Sequence, residues 1–168
     1  MQKVRIFRAR GWRVLFLLLT VLLAGVIFYM SSEPATESGE RSTTIAAEIL
    51  PLVHPAFETL PPEEQKAVLS SADHILRKTA HFCVYGTLGA LLLLYNLCFA
   101  AKPPAHMLRA LLAATVYAVS DEIHQAFVPG RGSAVTDVLL DSAGALCGIL
   151  IVCLIVRAVC QRKKQPLQ

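Results

Sequence analysis

The chain has 168 residues, 55% of them hydrophobic and 17% charged, with a net charge of +4 and a mean hydropathy of +0.54. That balance excludes an ordinary soluble domain and suits one small membrane module. Its basic residues flank apolar segments, where they set orientation across a bilayer and give no support to nucleic-acid binding.

Four segments approach the roughly 20 apolar residues that a bilayer crossing needs: 14–30, 82–101, 108–128 and 138–159. Residues 1–13 form a basic N-terminus. The first span reads as a retained anchor, because no A-x-A-like cleavage site follows Phe28-Tyr29-Met30. Residues 31–44 read as irregular, and Pro51 and Pro55 speak against a long helix over 45–60. Leu60-Pro61-Pro62-Glu63-Glu64 is a helix start. From there Val68, Leu69, Ala72, Ile75, Leu76 and Thr79 recur at helical spacing, which predicts an amphipathic helix over 63–79 that leads into the second span. The remaining spans occupy 80–160, and 161–168 is a basic tail.

Lys3, Arg5, Arg8, Arg10 and Arg13 precede the first span, Lys102 and Arg109 flank the second link, and Arg162, Lys163 and Lys164 end the chain. The positive-inside rule puts these flanks, and so both termini, in the cytoplasm. Segment 31–79 carries eight acidic residues against four basic ones and belongs outside, together with the link holding Arg131. The prediction is an all-α integral membrane four-helix bundle with an extracellular amphipathic helix between helices one and two. The five cysteines lie in or beside apolar helices and read as packing residues, with neither a disulfide framework nor a zinc motif in their spacing. His54, His74 and His106 read as surface or interfacial residues.

Three polar clusters interrupt this apolar chain. In the second span Lys78, Phe82, Tyr85, Gly89, Leu92 and Asn96 form one stripe, with His81 beside it. In the third, Tyr117, Asp121, His124, Gln125 and Val128 share a face with Glu122 off to one side, and Asp121 lies roughly 12 Å below the outer helix end. Ionisable groups at membrane depth cost roughly 2.5–3.5 kcal/mol each on insertion scales, so they face a bundle interior and mark candidate sites. The third cluster is the glycine-flanked link around Arg131, followed by Asp137, Asp141, Gly144 and Gly148 on one stripe whose glycines permit close helix approach. Asp137 near a helix start also suits the helix dipole. The topology brings all three clusters to the outer half of the bundle, in a polar pocket enclosed by the second, third and fourth spans.

These residues carry a resemblance. Phe28-Tyr29-Met30-Ser31-Ser32-Glu33-Pro34, Arg77-Lys78-x-x-His81-Phe82-x-x-Tyr85-Gly86, Ser120-Asp121-Glu122-Ile123-His124-Gln125 with Phe127-Val128-Pro129-Gly130-Arg131, and Asp137-x-x-x-Asp141-x-x-Gly144 are similar to the VanZ family. The resemblance implies a small protein of the bacterial cytoplasmic membrane, and the founding member is associated with resistance to the glycopeptide teicoplanin. It implies no catalytic mechanism.

Three readings of the clusters stand side by side. In the first, Arg77, Lys78 and Arg131 neutralise Asp121, Glu122, Asp137 and Asp141 in a structural lattice. In the second, a pocket of Lys78, His81, Tyr85, Asp121, Glu122, His124, Gln125, Arg131, Asp137 and Asp141 binds a ligand. That ligand would be a lipid-linked envelope precursor, a glycopeptide or an anionic membrane lipid, held by Arg131 and Lys78. In the third, the protein is an enzyme acting on a lipid or peptidoglycan intermediate, with Asp121 or Glu122 as general base and His124 or His81 as acid, or with a metal held by His81, Asp121, His124 and Asp141. No HExxH or comparable ligand spacing and no nucleophile elbow accompanies them, so no metal or cofactor is assigned.

Overall fold

The structure is a computed structural model that describes residues 10–162, with the backbone alone at residue 162. The basic positions Lys3, Arg5, Arg8, Lys163 and Lys164, and the side chain of Arg162, lie outside the described residues. Within them the chain forms five α-helices: α1 (Arg10–Ser31), α2 (Ala35–Val53), α3 (Pro62–Leu97), α4 (Pro103–Gln125) and α5 (Val135–Arg162). A 3₁₀ turn at Phe57–Thr59 joins α2 to α3, and no strand occurs among the described residues.

Helices α1, α3 and α5 are long and apolar enough to cross a membrane. Helix α4 is not among them by composition, and its burial pattern shows why. It turns His106, Ala110, Ala114, Ala118, Asp121, Glu122 and Gln125 inward. Its exposed side is a continuous stripe of Leu108, Leu112, Val116, Val119 and Ile123, continued by Phe127. Steps of three and four residues return to one face of a helix, so His106, Asp121, Glu122 and Gln125 leave the surface, while Arg109 and Ser120 stay exposed. His106, expected near the surface, is in fact 4% exposed, because it sits on this inward stripe.

The core is the α3–α5 contact. Lys78 meets Asp137, His81 meets Asp141, and Gly86 lies 3.2 Å from the Gly144 carbonyl by its missing Cβ. The partners advance together along both chains, so the two helices run parallel. A Cβ at Gly144 would lie 3.1 Å from the Phe82 Cα, and one at Gly148 would collide with the Gly86 carbonyl. Only hydrogen fits there, as in the close crossings that small residues allow between membrane helices. Ile27, Tyr85, Leu88 and Ala118 pack at one level of this core, and Leu93, Ala110 and Ile149 at another.

One expectation for the segment between the first two spans fails. Residues 31–44 are not irregular, since α2 begins at Ala35 and runs through the stretch thought to be broken. Pro51 falls in its last turn, where few following residues depend on the interrupted hydrogen bonding, and Pro55 comes after the helix has ended. The helix expected over 63–79 is present and leads directly into the second span: it is the first half of α3, which continues unbroken to Leu97. At 1.5 Å per residue its 36 residues extend about 54 Å, well beyond a hydrocarbon core of roughly 30 Å. No proline or glycine interrupts it before Gly86, so nothing in the chain forces a bend. Ser42, Ala46 and Leu50 are the buried residues of α2, on the side it packs against α3.

Candidate functional site

The polar clusters meet at the end of the bundle formed by the α4–α5 link. Gly130, at a φ of 73°, turns that link through a left-handed conformation that a side chain would strain. The Ala134 N–H donates to Glu122 Oε2 at 2.8 Å, one residue before α5 begins. A carboxylate there satisfies an amide with no helical partner and favours the helix dipole. Glu122 is thus buried and used by the fold, where the sequence put it off to one side. Helix α4 ends at Gln125, earlier than expected, so Asp121 lies about 6 Å from its end at 1.5 Å per residue.

The same end clamps α1. Gln125 Nε2 donates to Asp121 Oδ2 at 3.0 Å and to Ser31 Oγ at 3.3 Å. The His124 ring stacks on Phe28 with centroids 4.4 Å apart, and its Nε2 is 3.1 Å from Ser32 Oγ. Tyr117 Oη donates to the Ala24 carbonyl at 2.6 Å. Arg131 donates to the Met30 carbonyl at 3.1 Å, an acceptor at the α1 C-terminus that also receives the Glu33 N–H at 3.4 Å. Burial lowers the Arg131 pKa, opposed chiefly by the Asp121 carboxylate, and the guanidinium remains charged at neutral pH. Glu122→Ala should therefore loosen the link and lower stability by about 1 kcal/mol, the usual cost of a lost cap, seen as a lower melting temperature in detergent.

The ionic partners differ from a simple neutralising lattice. Lys78 pairs with Asp137, Arg77 with Asp73 at 2.9 Å, and Arg41 with Glu33 at 2.9 Å. The Glu33 hydrogen bond raises the pKa of Arg41. His81 Nδ1 stands 3.6 Å from Asp141 Oδ1. Asp141 has no exposed surface, and neither of its oxygens has a hydrogen-bond partner. Asp121 Oδ1 and the Tyr85 hydroxyl are buried without partners as well. Desolvated carboxylate oxygens of this kind are expensive unless something compensates them.

Beside this buried row lies a cavity of about 560 Å³ between α1, α2, α3 and residues 130–132 of the link. Arg41, Arg77, Lys78 and Arg131 line it together with His74 and His81. Leu23, Val26, Ile27, Ile45, Leu76 and Val84 make the apolar remainder. The cavity is not enclosed by the second, third and fourth spans as predicted. The glycine contacts bring α3 close onto α5, and α4 turns its stripe of alanines inward. Of the predicted site residues, Lys78, His81, Tyr85, Gln125, Arg131 and Asp137 line the cavity. Asp121, Glu122 and Asp141 are buried outside its lining, and His124 turns to α1. Arg41, Glu33, Asp73 and Ser31 were missed. One signal was available, because Arg41 is the single basic residue between positions 14 and 65. Among the described residues no group of three or more His, Cys, Asp or Glu side chains is arranged to hold a metal ion.

A family model for VanZ/LLP1 matches residues 16–156. The chain belongs to the VanZ/LLP1 family. No curated protein and no solved structure matches it. The matched span contains the cavity and each of the ion pairs described, so the site of this VanZ/LLP1 membrane protein lies wholly within its family region.

Proposed function

We propose that this VanZ/LLP1 protein binds an anionic lipid-linked ligand of the cell envelope in the cavity between α1, α2 and α3. The carrying observation is the cavity's mixed lining: four Lys or Arg side chains and a set of aliphatic ones border the same space. A phosphate or carboxylate headgroup matches the first, with arginine able to form two parallel hydrogen bonds, and an acyl or prenyl chain matches the second. Helix α4 is the fourth span, its apolar stripe facing lipid. The basic flanks lie in the cytoplasm and the cavity faces outward, as the charge bias of the chain supports. Occupancy of an envelope precursor at that surface connects the protein to teicoplanin susceptibility.

The test is native mass spectrometry of the full chain in detergent with a polyprenyl phosphate as probe and a neutral diacylglycerol as control. Arg131→Ala and Arg77→Ala should each weaken retention of the phosphate lipid by about tenfold or more, as expected for charged hydrogen bonds, with the melting temperature nearly intact. Equal retention of the two lipids by the unaltered protein would sink the reading.

A second reading is favoured by one observation. His81 lines the cavity while its Nδ1 faces the otherwise unpartnered Asp141, which is how a carboxylate orients a histidine for proton transfer. On that reading His81 is the acid–base residue of a lipid-modifying enzyme, and Asp141 positions it. Asp121 and Glu122 then serve packing and capping. Turnover of a polyprenyl phosphate or diphosphate that His81→Gln abolishes, without loss of its binding, would distinguish the enzyme from the binder.

A further inference from the structure

The opposite end of the molecule carries a second, unrelated cleft. It measures about 360 Å³ and is lined by Arg10, Arg13, Val14, Leu17, Tyr95 and Phe99, where the start of α1 meets the end of α3. The Arg13 guanidinium sits 5.0 Å over the Phe99 ring, a cation–π contact that fixes it in place. Its Nε is buried without a hydrogen-bond partner.

The charge around this cleft has no internal answer. Stretches 1–32, 74–120 and 142–168 contain no aspartate or glutamate, so no acidic side chain of those stretches can approach Arg10 or Arg13 from the helix ends around them. The opposite end holds the acidic residues and pairs its cations with them. Val14 and Leu17 are 49% and 45% exposed and continue the cleft along α1 as an apolar strip. A partner must therefore bring negative charge at the cleft and hydrocarbon beside it.

We infer that this cleft is a binding site for an anionic phospholipid of the adjoining leaflet. Its phosphodiester is held by Arg10 and Arg13 between Tyr95 and Phe99, and an acyl chain lies along Val14 and Leu17. The site is independent of the cavity at the other end and of any ligand there.

The chain has one tryptophan, Trp12, between the two arginines in sequence, so its fluorescence reports lipid at this end of α1, and the arginine and Phe99 variants assign the signal to the cleft. The full chain is reconstituted in nanodiscs with bromine-labelled phosphatidylglycerol or bromine-labelled phosphatidylcholine at equal mole fraction. Half-quenching should need several-fold less of the anionic lipid, on the order of fivefold for each arginine engaged. Arg10→Gln with Arg13→Gln should remove the preference, and Phe99→Leu should reduce it without changing the melting temperature. Arg157→Gln, on α5 and outside the cleft, should leave it intact. Equal quenching by both lipids overturns the assignment, as does a preference that survives the double arginine change. Equal loss with Arg157→Gln overturns it too, because diffuse surface charge then explains the effect. Reversal by glycerol phosphate at matched ionic strength would identify a free-phosphate site and overturn the lipid.

Discussion

Gly148→Leu should leave little folded protein in detergent, and Gly144→Leu should act in the same direction. At Gly148 the added Cβ would occupy the space of the Gly86 carbonyl, and at Gly144 it would press on the backbone of Phe82. Backbone atoms inside two long packed helices cannot rotate aside as a side chain does, so the helices themselves must separate. Overpacking of ordinary cores costs about 1–3 kcal/mol, and these sites should exceed the top of that range. Separation would also pull His81 from Asp141 and Lys78 from Asp137, so stability and the polar site fall together. Gly25→Ala and Gly39→Ala are the controls, since a Cβ at either position meets nothing within 4 Å. Thermal melting by size-exclusion chromatography reads all four. A Gly148→Leu protein that melts with the controls would mean that α3 and α5 do not approach as described.

That contact was partly legible in the chain, which shows what a sequence of this type discloses. The stripe Asp137, Asp141, Gly144, Gly148 follows from helical spacing alone, and the structure turns it onto α3 as that spacing requires. Three of the four expected apolar spans and the family were equally readable. The helical state of α2 was not, because Pro51 and Pro55 were weighed as breakers without regard to where in a helix they would fall. The position of the cavity was hidden for a different reason. Spacing says which side chains share a face but not which two faces leave space between them. The glycines bring α3 close onto α5, and the cavity lies between α3, α1, α2 and the link instead. His124 illustrates a third limit: it shares a helix face with Asp121, yet one phenylalanine on α1 is enough to turn its ring away.

The buried His81–Asp141 pair should behave as a coupled unit. His81→Leu removes the one group, among the described residues, that stands within ion-pair distance of a carboxylate with no exposed surface. Breaking a buried pair from one side costs about 3–5 kcal/mol, and since the His81 side chain is 34% exposed the loss should fall toward the lower figure. Asp141→Leu strips the charge instead and leaves an imidazole that the cavity can still solvate, so it should cost less. In the double variant His81→Leu with Asp141→Leu neither group is left uncompensated, and most of the stability should return. The double-mutant cycle then gives a coupling energy of on the order of 1–3 kcal/mol, read from melting in detergent. A double variant as unstable as His81→Leu would show that the two residues act separately. The restored double variant also separates fold from function. If it accumulates normally yet retains no more polyprenyl phosphate than neutral diacylglycerol, the pair serves the cavity. If it retains the phosphate lipid as the unaltered chain is expected to, the polar row is there to hold α3 on α5.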